Sequence, residues 1–151
     1  MTAHPGPSGT WDGGSTGATV LEPRVGYVLG LGDDALVLAH RLGEWIAGAP
    51  QIEEDIALAN IGLDLLGQAR TLLSHAGELE GAGRDEDALA YLRDERDFRN
   101  LQIVEHPNGD FAVTTARQLA FSAYQYELYD RLRASADPTL AAVAGKAIKE
   151  V

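Results

Sequence analysis

Residues 51–80 read QIEEDIALANIGLDLLGQARTLLSHAGELE, and their reading decides the fold. The stretch has no proline, and Glu53, Glu54 and Asp55 lie where a first helical turn would place negative charge against the positive end of the helix dipole. One long helix is the expectation. Its apolar residues fall on two lines at steps of three and four: Ile52, Ile56, Ala59, Leu63 and Leu66, then Leu58, Gly62, Leu65, Ala69, Leu72, Ala76 and Leu79. Two apolar lines predict packing on two sides. A polar row, Asn60, Asp64, Gln68, Thr71, His75 and Glu78, runs between them, and it must be either solvated or paired inside a bundle. A structural polar network or a subunit interface is the expectation for Asn60, Asp64 and Gln68, a buried network being preferred, with Trp45 as a core or subunit-interface residue.

Working outward, Gly48-Ala49-Pro50 closes a preceding helix through Leu36, Leu38, Leu42, Trp45 and Ile46, which Asp33 or Asp34 would cap. Residues 1–26 are rich in Gly, Pro, Ser and Thr with an isolated Trp11, and read as a disordered tail. Residues 27–151 read as the folded domain. Downstream, Gly81-Ala82-Gly83 breaks the long helix, and a short helix capped by Asp85 and the charged run RDERDFRN form an elbow. Asp110 after the turn Pro107-Asn108-Gly109 caps a third long helix carrying Phe121, Tyr124, Leu128 and Leu132. Tyr124, Tyr126 and Tyr129 fall on different faces of it, so at least one should point outward or into a partner. Asp137-Pro138 opens a last helix expected to be still running at Val151. The class is all-α, a helical bundle that looks incomplete at its C-terminal end.

Composition narrows function. Twelve basic residues against twenty-three acidic ones, a net charge of -11, argue against a nucleic-acid ligand. No run approaches the ~20 apolar residues of a membrane span, and the first residues have neither the basic nor the apolar part of a signal peptide, so the cytoplasm is the simplest address. The absence of cysteine removes thiolate catalysis and Cys-ligated metals, leaving His and carboxylates as the strong metal ligands.

The stretch LGDDALVLAHRLGEWIAGAPQIEEDIALANIGLDLLGQAR, then DEDALAYLRDERDFRNLQIVEHPNGDFAVTTARQ and KAIKE, resembles the C-type subunits of the bacterial phenylacetyl-CoA epoxidase over residues 27–151. The most specific pieces are Ala59 to Arg70 and Arg93-Asp94-Glu95-Arg96. The resemblance implies a ferritin-like fold and a place in aerobic phenylacetate catabolism. The complex epoxidises the aromatic ring of phenylacetyl-CoA with O2 and electrons from a separate reductase. A homologous catalytic A subunit holds the di-iron centre, and the C subunit is its structural partner. Family members continue well beyond Val151, which suggests a C-terminally truncated chain.

A di-iron carboxylate bundle needs four carboxylates and two His, two of the carboxylates in E-x-x-H pairs on one helix face. The resemblance lays the A subunit's D-E-A-G-H motif on Asp64 to Gln68, so Leu65 stands at the Glu position and Gln68 at the His position. Its K-E-E-x-x-H motif falls on Lys149, Glu150 and Val151, with Val151 in place of the ligand Glu. The ligand of the third long helix falls on Ser122, and Glu44 is the nearest carboxylate for the first. An aliphatic side chain cannot bind iron and an amide binds it poorly. His40 and Glu44, one turn apart, read as a local or solvated pair, and His75 as a surface or interface residue.

The expectation is therefore a non-catalytic structural subunit with no metal or cofactor site of its own, paired with the iron-bearing A subunit and serving the reductase only indirectly. An autonomous ferritin-like metal-dependent oxidase and a non-functional fragment are the alternatives. Iron content would separate the first, and aggregation in isolation the second.

Overall fold

The computed structural model describes residues 22–151, so the expected tail through residue 21, with Trp11, lies outside the described residues. The elements are α1 (Pro23–Gly43), α2 (Ile52–Glu80), α3 (Glu86–Tyr91), α4 (Gln102–Glu105), α5 (Phe111–Leu132) and α6 (Pro138–Ala147), with a single 3₁₀ turn at Glu95–Asp97. No strand occurs among the described residues, and no helix in them is long and apolar enough to cross a membrane. The all-α, ferritin-like bundle expected from the sequence is the architecture observed.

Helix α1 begins earlier than the sequence suggested. Pro23 occupies its first turn, where a missing N–H costs nothing, and Val25, Val28, Leu29, Ala35, Leu36, Leu38 and Leu42 form one buried stripe. Gly30 and Gly32 do not break it, because the neighbours come too close for side chains. A methyl group on Gly32 would sit 2.9 Å from Leu73 Cδ2, and one on Gly30 3.3 Å from the Arg99 carbonyl oxygen. The helix ends at Gly43 rather than running through Ile46; Trp45 and Ile46 lie in turns before Pro50, and Ala47 takes a positive φ of 64°.

Helix α2 lies antiparallel along α1. The close pairs Gly32 with Leu72 and Leu73, and Gly62 with Ala39 and Leu42, set the register. Its buried face is the second apolar line, Leu58, Leu65, Ala69, Leu72 and Ala76. Gly81, at φ 67°, ends it in the left-handed conformation, its N–H bonded to the Gly77 carbonyl. The first line stays open instead of packing: Ile52 is 70% exposed, Ile56 56%, Leu63 65% and Leu66 45%.

Helix α5 starts at Asp110, whose carboxylate accepts from Val113 N–H, and buries Thr114, Arg117, Phe121, Gln125 and Tyr129. Trp45 anchors its first turn to the α1–α2 connection, edge-on to Phe111 at 5.6 Å and donating from Nε1 to Thr114 Oγ1 at 2.9 Å. Asp137 caps α6, accepting from Thr139 and Leu140 N–H. The helix closes at Ala147 instead of continuing to Val151. Lys149 N–H to Lys146 and Glu150 N–H to Ala147 are three-residue bonds that tighten the chain after it.

Candidate functional site

Three polar clusters lie inside this frame. The first joins α2, α5 and the end of α6. Gln125 Nε2 donates to Tyr129 Oη at 3.3 Å, the Tyr129 hydroxyl donates to Gln68 Oε1 at 2.9 Å, and Gln68 Nε2 donates to Glu150 Oε2 at 3.2 Å. Gln68, Gln125 and Tyr129 are all buried. Burial raises the Tyr129 pKa above its ordinary value, and the negative charges of Asp34 and Glu150 act in the same direction. The phenol therefore stays protonated and serves as a donor, which fixes the orientation of the Gln68 amide.

The second cluster crosses α1 to the elbow. Asp33 and Asp34 are not helix caps. They sit mid-helix and buried, because the N-terminus of α1 lies ten residues back at Pro23. The Asp33 carboxylate receives the Arg93 guanidinium and, at 2.9 Å, the Arg99 N–H. Arg93 lies 4.2 Å over the Phe98 ring. Asp34 accepts from Leu101 N–H at 2.6 Å; burial nevertheless pushes its carboxyl up to about 6, with the Asp33 charge adding to the rise. The neighbours in sequence therefore hold the 93–101 segment together, Asp33 at Arg93 and Arg99 and Asp34 at Leu101.

The third cluster is Arg24, His75 and Asp137. The Asp137 carboxylate, while capping α6, takes Arg24 Nη2 at 2.7 Å and His75 Nε2 at 2.8 Å. The Arg24 guanidinium, and after it His75, hold the Asp137 pKa well below the usual carboxylate range. His75, expected at the surface or at an interface, is buried in the described residues, because α6 begins directly over it.

The polar row of α2 is thus divided by the fold. Gln68 and His75 are buried, while Asn60, Asp64, Thr71 and Glu78 are exposed. Asn60 and Asp64 do not join Gln68 in an internal network; they lie on the side of α2 turned toward solvent, where the row veers off the α1-facing stripe. Trp45 is half-buried in the core rather than part of that row. His40 and Glu44 are both exposed. Glu44 engages Arg41 at 3.1 Å and Asn108 at 2.9 Å, a link that ties α1 to the turn before α5. Of the three tyrosines, Tyr129 is buried and Tyr126 is 52% exposed.

The positions that resemblance aligns with iron ligands do not fit a di-iron centre. Leu65 is an apolar core residue, the Gln68 amide is held between Tyr129 and Glu150, and the Ser122 hydroxyl accepts from Gln118 Nε2 at 3.2 Å. Among the described residues, no three His, Asp or Glu side chains converge as a metal site would require. Sequence reasoning missed Tyr129 and Glu150 as partners of Gln68, and Asp33 as the partner of Arg93. A signal for the second was present: LGDDA and RDERD are charged sequences beside apolar ones, and buried charges need partners.

Comparison with known proteins agrees with the fold. Residues 14–151 match the family described as phenylacetic acid catabolic protein. The chain is 61% identical over 124 residues to the C subunit of 1,2-phenylacetyl-CoA epoxidase from Escherichia coli (strain K12), an alignment covering 82% of this chain and 50% of that protein. The chain thus spans about half the length of the curated relative it matches. With a helical bundle, a matching family over most of its residues and this level of identity, the chain belongs to the phenylacetic acid catabolic protein family.

Proposed function

We propose that the chain serves as a non-catalytic structural subunit of a phenylacetyl-CoA ring-epoxidising di-iron monooxygenase in aerobic phenylacetate catabolism, paired with a homologous A-type subunit that carries the iron. The observation that carries the reading is the 61% identity to a protein named as the C subunit of that epoxidase. The interior supports it. Between α2, α5 and the segment after α6, where the resemblance sets Gln68 at the position of an iron-binding His, this chain has a Gln125–Tyr129–Gln68–Glu150 hydrogen-bond series. Such a series orients helices and performs no redox chemistry. Gln68 links α2 to α5 and to the segment after α6, and the Asp137 cluster links α1, α2 and α6. The surface offered to a partner is thereby held in one shape.

Co-expression with a cognate A-type subunit, size exclusion and iron analysis of each peak test the proposal. Co-elution with iron tracking the A-type subunit is the expected result. About two irons bound to this chain alone would make it an oxidase in its own right and overturn the reading.

A further inference from the structure

The turn that leads into α5 reads Pro107-Asn108-Gly109-Asp110, and the half-buried Asn108 side chain is held at both ends of its amide. Its Nδ2 donates to the Arg41 carbonyl at 2.8 Å and to Glu44 Oε2 at 2.9 Å, and its Oδ1 accepts from Arg117 Nη2 at 2.8 Å. One orientation of the amide alone satisfies all three partners, since two are acceptors and a guanidinium only donates. Arg117 is buried. Its Nη1 donates to the His106 carbonyl at 2.6 Å, and its Nε has no partner among the described residues. Both acceptors of this buried cation are neutral, so it lacks a carboxylate of its own.

Gly109 is the opposite case. It is exposed, has a φ of 60°, and its N–H enters no hydrogen bond among the described residues. An asparagine side-chain carbon can close a ring with the backbone nitrogen of the next residue, and a glycine there puts no side chain in the way. A pinned electrophile thus stands next to an unpinned nucleophile.

We propose that Asn108 is a site of spontaneous deamidation, gated by its hydrogen bonds to Arg41, Glu44 and Arg117, and that the product exchanges a tie to α1 for an ion pair with α5. In the step, the Gly109 nitrogen bonds to Asn108 Cγ and gives up its proton, the Cγ–Nδ2 bond breaks, and the amide nitrogen leaves as ammonia. Water then opens the cyclic imide at one carbonyl or the other, leaving aspartate or isoaspartate. While the amide is pinned, Cγ cannot turn toward the nitrogen, so the reaction waits on local opening of the turn. The new carboxylate keeps an acceptor for Arg117 and gives that guanidinium a counter-charge. It offers no donor to the Arg41 carbonyl and stands against the Glu44 carboxylate, like charge against like.

The test incubates the full chain in heavy-oxygen water near neutral pH, folded and in urea, and follows each asparagine by peptide mass spectrometry. Asn108 should exchange its amide for labelled oxygen with isoaspartate among the products, about ten- to a hundredfold more slowly folded than unfolded. Glu44→Ala, which removes one pin from an exposed position, should speed the folded reaction several-fold and leave the rate in urea unchanged. Asn60 and Asn100, followed by the bulky Ile61 and Leu101, should stay intact over the same period. Asn108→Asp reproduces one product: amide exchange should rise over residues 44–47 and not at the start of α5, and adding Glu44→Gln should reverse the rise. Equal rates folded and in urea would overturn the gate. No label at Asn108 in the folded chain over about a hundred half-lives of the reaction in urea would overturn the site. Loosening of the start of α5 in Asn108→Asp would overturn the exchange of ties.

Discussion

The carboxylate of Asp33, midway along α1, holds the guanidinium of Arg93 with both side chains out of water, at 0% and 2% exposure. Arg93 reaches it from the elbow between α3 and α4, and the same carboxylate takes the Arg99 N–H. Breaking such a pair leaves a buried charge without its partner. Asp33→Asn should therefore destabilise the fold by about 3–5 kcal/mol, and replacing both residues together, Asp33→Leu with Arg93→Met, should cost less than the sum of the single changes. Urea unfolding of the parent, the two single variants and the double variant measures the coupling.

Asp34 predicts a pH dependence of the opposite sign from most carboxylates. Its folded pKa, about 6, lies above the ordinary 3.8, so between those values the folded state holds a proton that the unfolded state has released. Stability from this group is present below pH 3.8 and lost as pH rises through about 6. Asp34→Asn keeps an oxygen for Leu101 N–H and removes the titration. The variant should lose less stability than the parent between pH 4 and pH 7, as read from urea midpoints at the two ends.

Asp137 acts in the usual direction. Its folded pKa is depressed by Arg24 and His75, so its contribution is present above the ordinary carboxylate pKa and lost as pH falls below it. Asp137→Ala also removes the α6 cap, which by itself is worth about 1 kcal/mol. Asp137→Asn should be the milder change, since it keeps an acceptor for Thr139 and Leu140 N–H. Thermal melts at neutral pH order the two variants; equal melting temperatures would contradict the cap.

Two glycines of α2 should respond with opposite signs. A methyl group on Gly77 would collide with the Arg84 carbonyl oxygen, part of a backbone that cannot retreat as a side chain would, whereas Gly67 has nothing within 4 Å. Gly77→Ala should destabilise by about 1–3 kcal/mol through overpacking. Gly67→Ala should stabilise by up to about 1 kcal/mol through helix propensity. Calorimetry of both variants checks the signs.

Tyr129→Phe removes the donor to Gln68 Oε1 and leaves that buried carbonyl unpaired. A cost of about 1–3 kcal/mol is expected. Amide exchange in α5 and after α6 should rise together, because the same Gln68 side chain also holds Glu150.

The long helix α2 was legible without tertiary information. Its proline-free run, acidic first turn and Gly81 terminator act locally, within a few residues of the positions they control. The caps at Asp85, Asp110 and Asp137 were legible for the same reason. Asp33 and Asp34 look like caps and are not, because an aspartate after a glycine looks alike in sequence whether its partner is the next turn of its own helix or a backbone N–H in a distant segment.

The sequence alone therefore determined the helical class, the principal helices, the resemblance to a family and the absence of metal-ligand side chains at Leu65, Gln68 and Ser122. All of these depend on residue identity and short spacing. Tertiary structure decided which of α2's two apolar lines meets α1 and which stays open. It also decided that Gln68 and His75 turn inward while Asn60 and Asp64 face out. Periodicity assigns residues to faces of one helix, but burial of a face depends on where the other helices lie, and those positions are set by contacts between residues far apart in the chain.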